Sequence, residues 1–163
     1  MKQKFIILTI LTLWTIDSFA CSCGELEKIS SDDYKKAGEI FIGKVIDVTE
    51  NREQWEKTVT FEIIDQLKPT ENKKQITILT ALDGAACGLS TNVGDKWYIF
   101  SYYNDNGQLR AGLCGRSVHL DKKFKAKDYG LKYAYLEKRA WKKKVKRYRQ
   151  EKRFIRKIKT TTR

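Results

Sequence analysis

The chain has little of what most catalytic and metal centres are made from. Among its 163 residues there is one histidine, His119, and one proline, Pro69. A single histidine with no clustered partner reads as a surface or strand-end residue rather than a general base. No H-E-x-x-H pair, no glycine-rich phosphate loop and no convincing Ser-His-Asp set is present. No catalytic residue is therefore assigned, no cofactor is expected, and the protein reads as a non-enzyme. No internal repeat or low-complexity linker interrupts it. Beyond residue 20 no apolar stretch is long enough to span a bilayer. Cysteine is scarce, with only Cys21, Cys23, Cys87 and Cys114. Metal knuckles usually supply C-x2-4-C pairs, and only one tight pair exists here, so no metal of the protein's own is expected.

What is present begins with an export pattern. Lys2 and Lys4 form a positive start, Phe5 to Ile16 is mostly apolar, and Ser18-Phe19-Ala20 puts small residues at the −3 and −1 positions of a cleavage site. Residues 1–20 are expected to be a signal peptide, with the mature chain starting at Cys21 and the protein secreted or periplasmic. The alternative is an uncleaved anchor, for which the apolar run is short. A lipoprotein is disfavoured because Ser18 stands where a lipobox wants Leu. All four cysteines follow the cleavage site, and an even count in an exported protein favours disulfides. Of the three possible connectivities, a bridge between the near neighbours Cys21 and Cys23 is the most constrained, which leaves each with a distant partner.

Charge divides the chain. Residues 122–163 hold 19 Lys/Arg against 3 acids, whereas residues 21–121 hold 12 against 16. A mildly acidic domain at 21–121 followed by a basic tail at 122–163 is expected. Such asymmetry points to an anionic lipid or polysaccharide surface as the tail's partner. The densest cluster is Lys142, Lys143, Lys144, Lys146, Arg147 and Arg149. From Asp128 the tail has no proline, and Ala134, Trp141, Tyr148 and Ile155 recur every seven residues, which predicts a long helix with a narrow apolar face. Its first part, Leu131 to Leu136, is expected to pack on the domain. Beyond Trp141 it has too few apolar residues to fold alone, and Trp141, Tyr148, Phe154 and Ile155 are then free to enter a headgroup layer.

The domain itself reads as β. Ser30 and Ser31 can cap a short helix, with Asp32 and Asp33 in its first turn and Gly38 at its end. Strands follow at Ile40–Val48, at Val59/Phe61/Ile63 and at Ile76/Ile78, the second ending at Lys68-Pro69. Trp97–Tyr103 is a fourth strand, with Trp97/Ile99 on one face and Tyr98/Phe100/Tyr102 on the other, both looking packed. Asn104-Asp105-Asn106-Gly107 makes a turn, and Leu109, Ala111 and Leu113 a fifth strand. Five short strands suggest a small barrel or sandwich. Trp97, Tyr98, Tyr102 and Tyr103 could stack on bases if the barrel bound nucleic acid. An exported protein rarely meets it, so no nucleic-acid partner is expected.

The feature that carries function is Cys21-Ser22-Cys23 at the expected mature terminus. Cleavage after Ala20 frees the α-amine of a cysteine that disulfides would hold rigid. Together with Phe41-Ile42-Gly43-Lys44-Val45, Ala86-Cys87-Gly88, Gly94-Asp95-Lys96-Trp97-Tyr98-Ile99 and Leu113-Cys114, this resembles the tissue inhibitors of metalloproteinases and, more broadly, the netrin-like modules. The resemblance spans roughly Cys21 to Leu120. It implies a mainly β, five-stranded OB-like barrel with a short N-terminal helix, to which the chain adds a long basic C-terminal helix. It implies the bridges Cys21–Cys87 and Cys23–Cys114. It also implies a monomeric, secreted inhibitor of zinc metalloendopeptidases, with the amine and carbonyl of Cys21 chelating the protease's zinc. Ser22 would enter the adjoining pocket, and Cys23, Ala85, Ala86 and Gly88 would complete the contact ridge. The chain departs from the family in lacking its third disulfide here and its cysteine-rich C-terminal subdomain. A netrin-like binding module held on an anionic envelope or matrix surface by its tail is the alternative.

Overall fold

The computed structural model describes residues 21–68, 71, 73–124 and 126–161; the expected signal peptide, Pro69 and the side chain of Leu131 lie outside them. The order is α1 (Ser31–Lys36), β1 (Ile40–Asn51), β2 (Glu56–Lys68), β3 (Gln75–Ala81), β4 (Lys96–Phe100), β5 (Tyr102–Tyr103), β6 (Leu109–Arg110), β7 (Val118–His119) and α2 (Ala126–Thr161). The fold is mainly β: a curled seven-stranded sheet, order β5-β6-β3-β2-β1-β4-β7, with α2 beside it.

Seven strands stand where five were expected, for two reasons. The strand anticipated from Trp97 to Tyr103 is interrupted at Ser101, whose backbone exchanges hydrogen bonds with Gly38 and Glu39 (2.8 and 3.0 Å) instead of continuing the ladder. The other addition is β7, a two-residue strand on β4. Hydrogen-bonded neighbours run from β5 through β6, β3, β2 and β1 to β4, and β4 ends only one residue before β5 begins. Leu79 pairs in parallel with Arg110, the one parallel contact in the circuit. Curling of this kind requires local register shifts. Three occur in the β1–β2 ladder, one of them between Ile42 and Gly43. At Gly43 an added Cβ would lie 3.0 Å from both Phe61 Cβ and Glu62 O.

Alternation along β1 and β4 feeds two cores. Phe41, Val45, Trp97 and Ile99 point to the inside of the curl with Val59, Phe61, Ile76, Ile78, Leu89 and Ala111. Ile40, Ile42 and Tyr98 point outward and are covered, with Leu67 and Val118, by Ile155 of α2. Both faces of the Trp97–Phe100 run are packed, as the sequence suggests, but Tyr102 is exposed.

α1 begins with the predicted cap: Ser30 Oγ accepts from Asp33 N–H (3.1 Å), and Asp33 accepts from Ser30 N–H (2.8 Å). Gly38 plays a different part from the one expected. The helix ends at Ala37 without a left-handed residue, and a Cβ at Gly38 would fall 2.5 Å from Leu109 Cδ2, so a larger residue there would push the Leu109 side chain aside.

The docking of α2 also corrects the expectation. Its seven-residue stripe does face the domain, but the closest packing comes late in the helix. Ile155 is completely buried, Val145, Tyr148 and Phe154 pack beside it, and Trp141 Nε1–H donates to His119 O (2.7 Å). Within the segment expected to pack, Ala134 is buried, while Tyr133, Tyr135 and Leu136 are exposed. The late turns succeed with few apolar residues because polar contacts supplement them. Lys152 and Arg156 reach Asp65 of β2 (2.8 and 3.2 Å), and Glu151 enters a buried pair with Arg116.

Candidate functional site

The ridge is built from two segments stapled side by side. Cys21 bonds Cys87 and Cys23 bonds Cys114, with Cα separations of 5.2 and 4.9 Å, the pairing that the resemblance implies. No cysteine among the described residues is free, so the close approach of Cys21, Cys23 and Cys114 is disulfide packing and not a set of metal ligands. Two disulfides place the protein in an oxidising, non-cytoplasmic compartment. Among the described residues no helix is long and apolar enough to cross a membrane.

The second segment is the loop after β3. Asp83 organises it: its Oδ1 accepts from Ala86 N–H (2.9 Å) and its carbonyl from Gly88 N–H (2.7 Å). Cys87 turns back with φ +62°, and Leu113 N–H donates to its carbonyl (2.7 Å). Gly88 is buried, and a Cβ there would lie 2.0 Å from Ala81 O, so it shapes the loop rather than offering contact surface. The two segments are joined by Cys21 N–H donating to Ala85 O at 3.1 Å. Ser22, Cys23, Gly24, Ala85 and Ala86 are exposed, and Cys21 and Cys87 are half-buried.

Arg116, two residues after Cys114, fastens this ridge to the body of the protein. Its side chain is only 9 % exposed. It donates to Glu151 Oε1 (2.7 Å), to Glu27 O (3.0 Å) and to Asp33 Oδ2 (3.2 Å). Tyr98 O–H donates to the other Glu151 oxygen (3.3 Å). Burial pushes the Glu151 carboxyl above its usual range, against the opposing pull of Arg116 and Arg147, and burial likewise raises the Tyr98 hydroxyl. Neither Asp83 nor Arg116 was a sequence candidate. Their partners lie near in space but, for Arg116, up to 89 residues away in sequence, and no local pattern announces them.

No protein-family model and no curated protein matches the chain.

The basic cluster is only partly a surface. Lys142, Lys143, Lys146 and Arg149 are exposed, and Lys143 pairs with Glu25 of the ridge segment (2.9 Å). Lys144 and Arg147 are half-buried, and Arg147 turns inward to within 3.5 Å of Glu151. The apolar stripe cannot double as a headgroup anchor, because Trp141, Tyr148, Phe154 and Ile155 are already packed or hydrogen-bonded to the domain.

His119 is in better company than a lone histidine suggests. It ends β7, its ring stacks on Trp97 (centroids 4.8 Å apart, planes 10° apart), and Nε2 lies 3.0 Å from Asp121 Oδ1 and 3.5 Å from Asp95 Oδ1.

Proposed function

We propose that the protein is a secreted inhibitor of zinc metalloendopeptidases that acts through Cys21, on an OB-like barrel of netrin-like type. The observation that supports this is the stapled, exposed ridge in which Cys21 N–H is already held by Ala85 O. Once Ala20 is removed, that nitrogen is an α-amine. It can keep this hydrogen bond while its lone pair faces outward beside the Cys21 carbonyl. The pair is a bidentate ligand for a zinc that has three protein ligands and an exchangeable water. The amine binds only when neutral, and free α-amines titrate at about 7.7–8.0. The ridge would then sit like a cleaved product, with Ser22 in the neighbouring pocket and Ala85–Ala86 along the rim. The run of strand pairings from β5 through β6, β3, β2 and β1 to β4, which leads back into β5 across Ser101, supports the barrel reading.

The test is to add one alanine before Cys21. An amide nitrogen has no available lone pair, so inhibition of a panel of zinc endopeptidases is expected to disappear while the fold is kept. Ser22→Arg is expected to block most narrow pockets. Equal inhibition by native and extended forms, or none by the native form, refutes the proposal.

A second reading has its own support. Lys142, Lys146 and Arg149 are exposed cations on α2, on the outside of a helix whose apolar stripe faces the sheet. That face suits an anionic polymer or headgroup layer held by charge alone.

A further inference from the structure

We propose that Asp95, His119 and Asp121 form a zinc site, independent of the N-terminal ridge. One ligand atom from each of the three residues lies within 4.8 Å of the other two. His119 Nε2 is 3.0 Å from Asp121 Oδ1 and 3.5 Å from Asp95 Oδ1. Zinc takes histidine nitrogen and carboxylate oxygen at about 2.0–2.2 Å in tetrahedral array, which sets two ligands of one ion about 3.4 Å apart, close to both of these separations.

The imidazole supplies the observation that points to a ligand. His119 Nε2 is shielded from solvent and has no hydrogen-bond partner, although two carboxylate oxygens flank it. A buried polar nitrogen left unpaired carries a desolvation cost of about 1–3 kcal/mol. A cation seated between the three atoms removes that cost and the repulsion between the two carboxylates together. This is not a loose surface group of acids. The side chains of His119 and Asp95 are 17 % and 21 % exposed, and Asp121 is 51 % exposed, which leaves an open side for a water ligand.

The surroundings hold the ligands in place as outer-shell partners do. Asp121 Oδ1 accepts from Lys96 N–H (3.0 Å), and Asp95 Oδ2 accepts from Asn92 N–H (2.8 Å), which frees Asp95 Oδ1 to face His119. Trp97 fixes the imidazole plane, and Trp141 fixes the His119 backbone through its carbonyl. One imidazole with two carboxylates is a nitrogen–oxygen set that suits zinc better than the soft-ligand metals. The ligands come from the turn before β4, from β7 and from the link to α2. The ion would clamp those three segments together.

The test uses the tag-free, disulfide-intact full chain, stripped with chelator and titrated with zinc by calorimetry at neutral pH. One zinc per chain and a raised melting temperature are expected, and cobalt in its place should give the visible bands of a four-coordinate site. Asp121→Asn keeps an oxygen for Lys96 N–H and so preserves the fold. Both it and His119→Gln should weaken zinc binding at least about tenfold. The form with an extra alanine before Cys21 should bind zinc as the native one does, which separates this site from the ridge. The proposal is overturned if no zinc is taken up, or if both variants bind it as tightly as native protein. It is equally overturned if the melting temperature does not respond to zinc.

Discussion

Arg116 and Glu151 show how much one buried contact can decide. The pair is 9 % and 3 % exposed, and it joins the segment behind the ridge to the far end of α2. Removing Glu151 takes away the nearest partner of Arg116 and leaves the guanidinium to Asp33 and the Glu27 carbonyl, so the loss is expected at the lower end of the about 3–5 kcal/mol that breaking a buried pair costs. Glu151→Ala is therefore expected to lower the urea midpoint sharply. Arg116→Met with Glu151→Leu should recover much of that loss, because a packed apolar pair carries no desolvation cost. A double-variant loss equal to the sum of the separate Arg116→Met and Glu151→Leu losses would show that the pairing itself contributes nothing. Neither residue stands out in sequence. Glu151 stands three residues after Tyr148 and four before Ile155, so the stripe puts it on the buried face, but nothing in the sequence names the distant Arg116 that makes a carboxylate tolerable there. The capping of α1 was legible because Ser30 and Asp33 are three residues apart and bond each other.

At the level of elements, legibility followed the same rule. β2 and β3 show themselves through alternating apolar residues, since each has one face on the inner core, and β1 through a run of β-branched and aromatic residues that feeds both cores. The break at Ser101 does not, because a strand that switches partners keeps its composition. Apolar count alone puts the docking of α2 too early in the helix, because polar contacts carry part of the packing. Asp65 makes up the difference. Burial would raise its carboxyl, but Lys152 and then Arg156 more than offset this, and the group is held below its usual range. A depressed native value means that its contribution is complete above the unfolded value of about 3.9 and is lost as pH falls through the lower native value. Acidification into that range is expected to loosen α2. Trp141 fluorescence and amide exchange along α2 should report the loosening, and Asp65→Asn should remove this part of the acid response. An acid response of α2 unchanged in that variant would count against the account.

For the molecule as a whole, the uneven charge sets what it can approach. The cations of α2 lie on one side of a mildly acidic domain, and the helix that carries them is part of the packed structure. Deleting residues after Asp121 would strip Ile155 from the second core and Trp141 from the His119 carbonyl, and so confuse loss of charge with loss of fold. The cleaner variant is Lys142→Glu with Lys146→Glu and Arg149→Glu, all at exposed positions. At physiological ionic strength charges act over about 8 Å. Native protein is expected to bind anionic vesicles or a sulfated polysaccharide at low salt, to be released steeply as salt rises, and to lose retention in the triple variant. Retention of that variant equal to native would refute the charge-held reading.

The spacing of the two bridges also sets a timetable. Cys21 and Cys23 are made early, and their partners follow 66 and 91 residues behind them. At about 5–20 residues per second, Cys114 is added roughly 5–20 s after Cys21. Until Cys114 is made, Cys23 lacks its native partner, and the ridge can hold at most one of its two staples. Arg116 then waits a further 35 residues for Glu151. An early segment of the chain thus depends for its rigidity on residues added long after it. A chain that stalls before its final helix carries a ridge complete in sequence and unfinished in its supports.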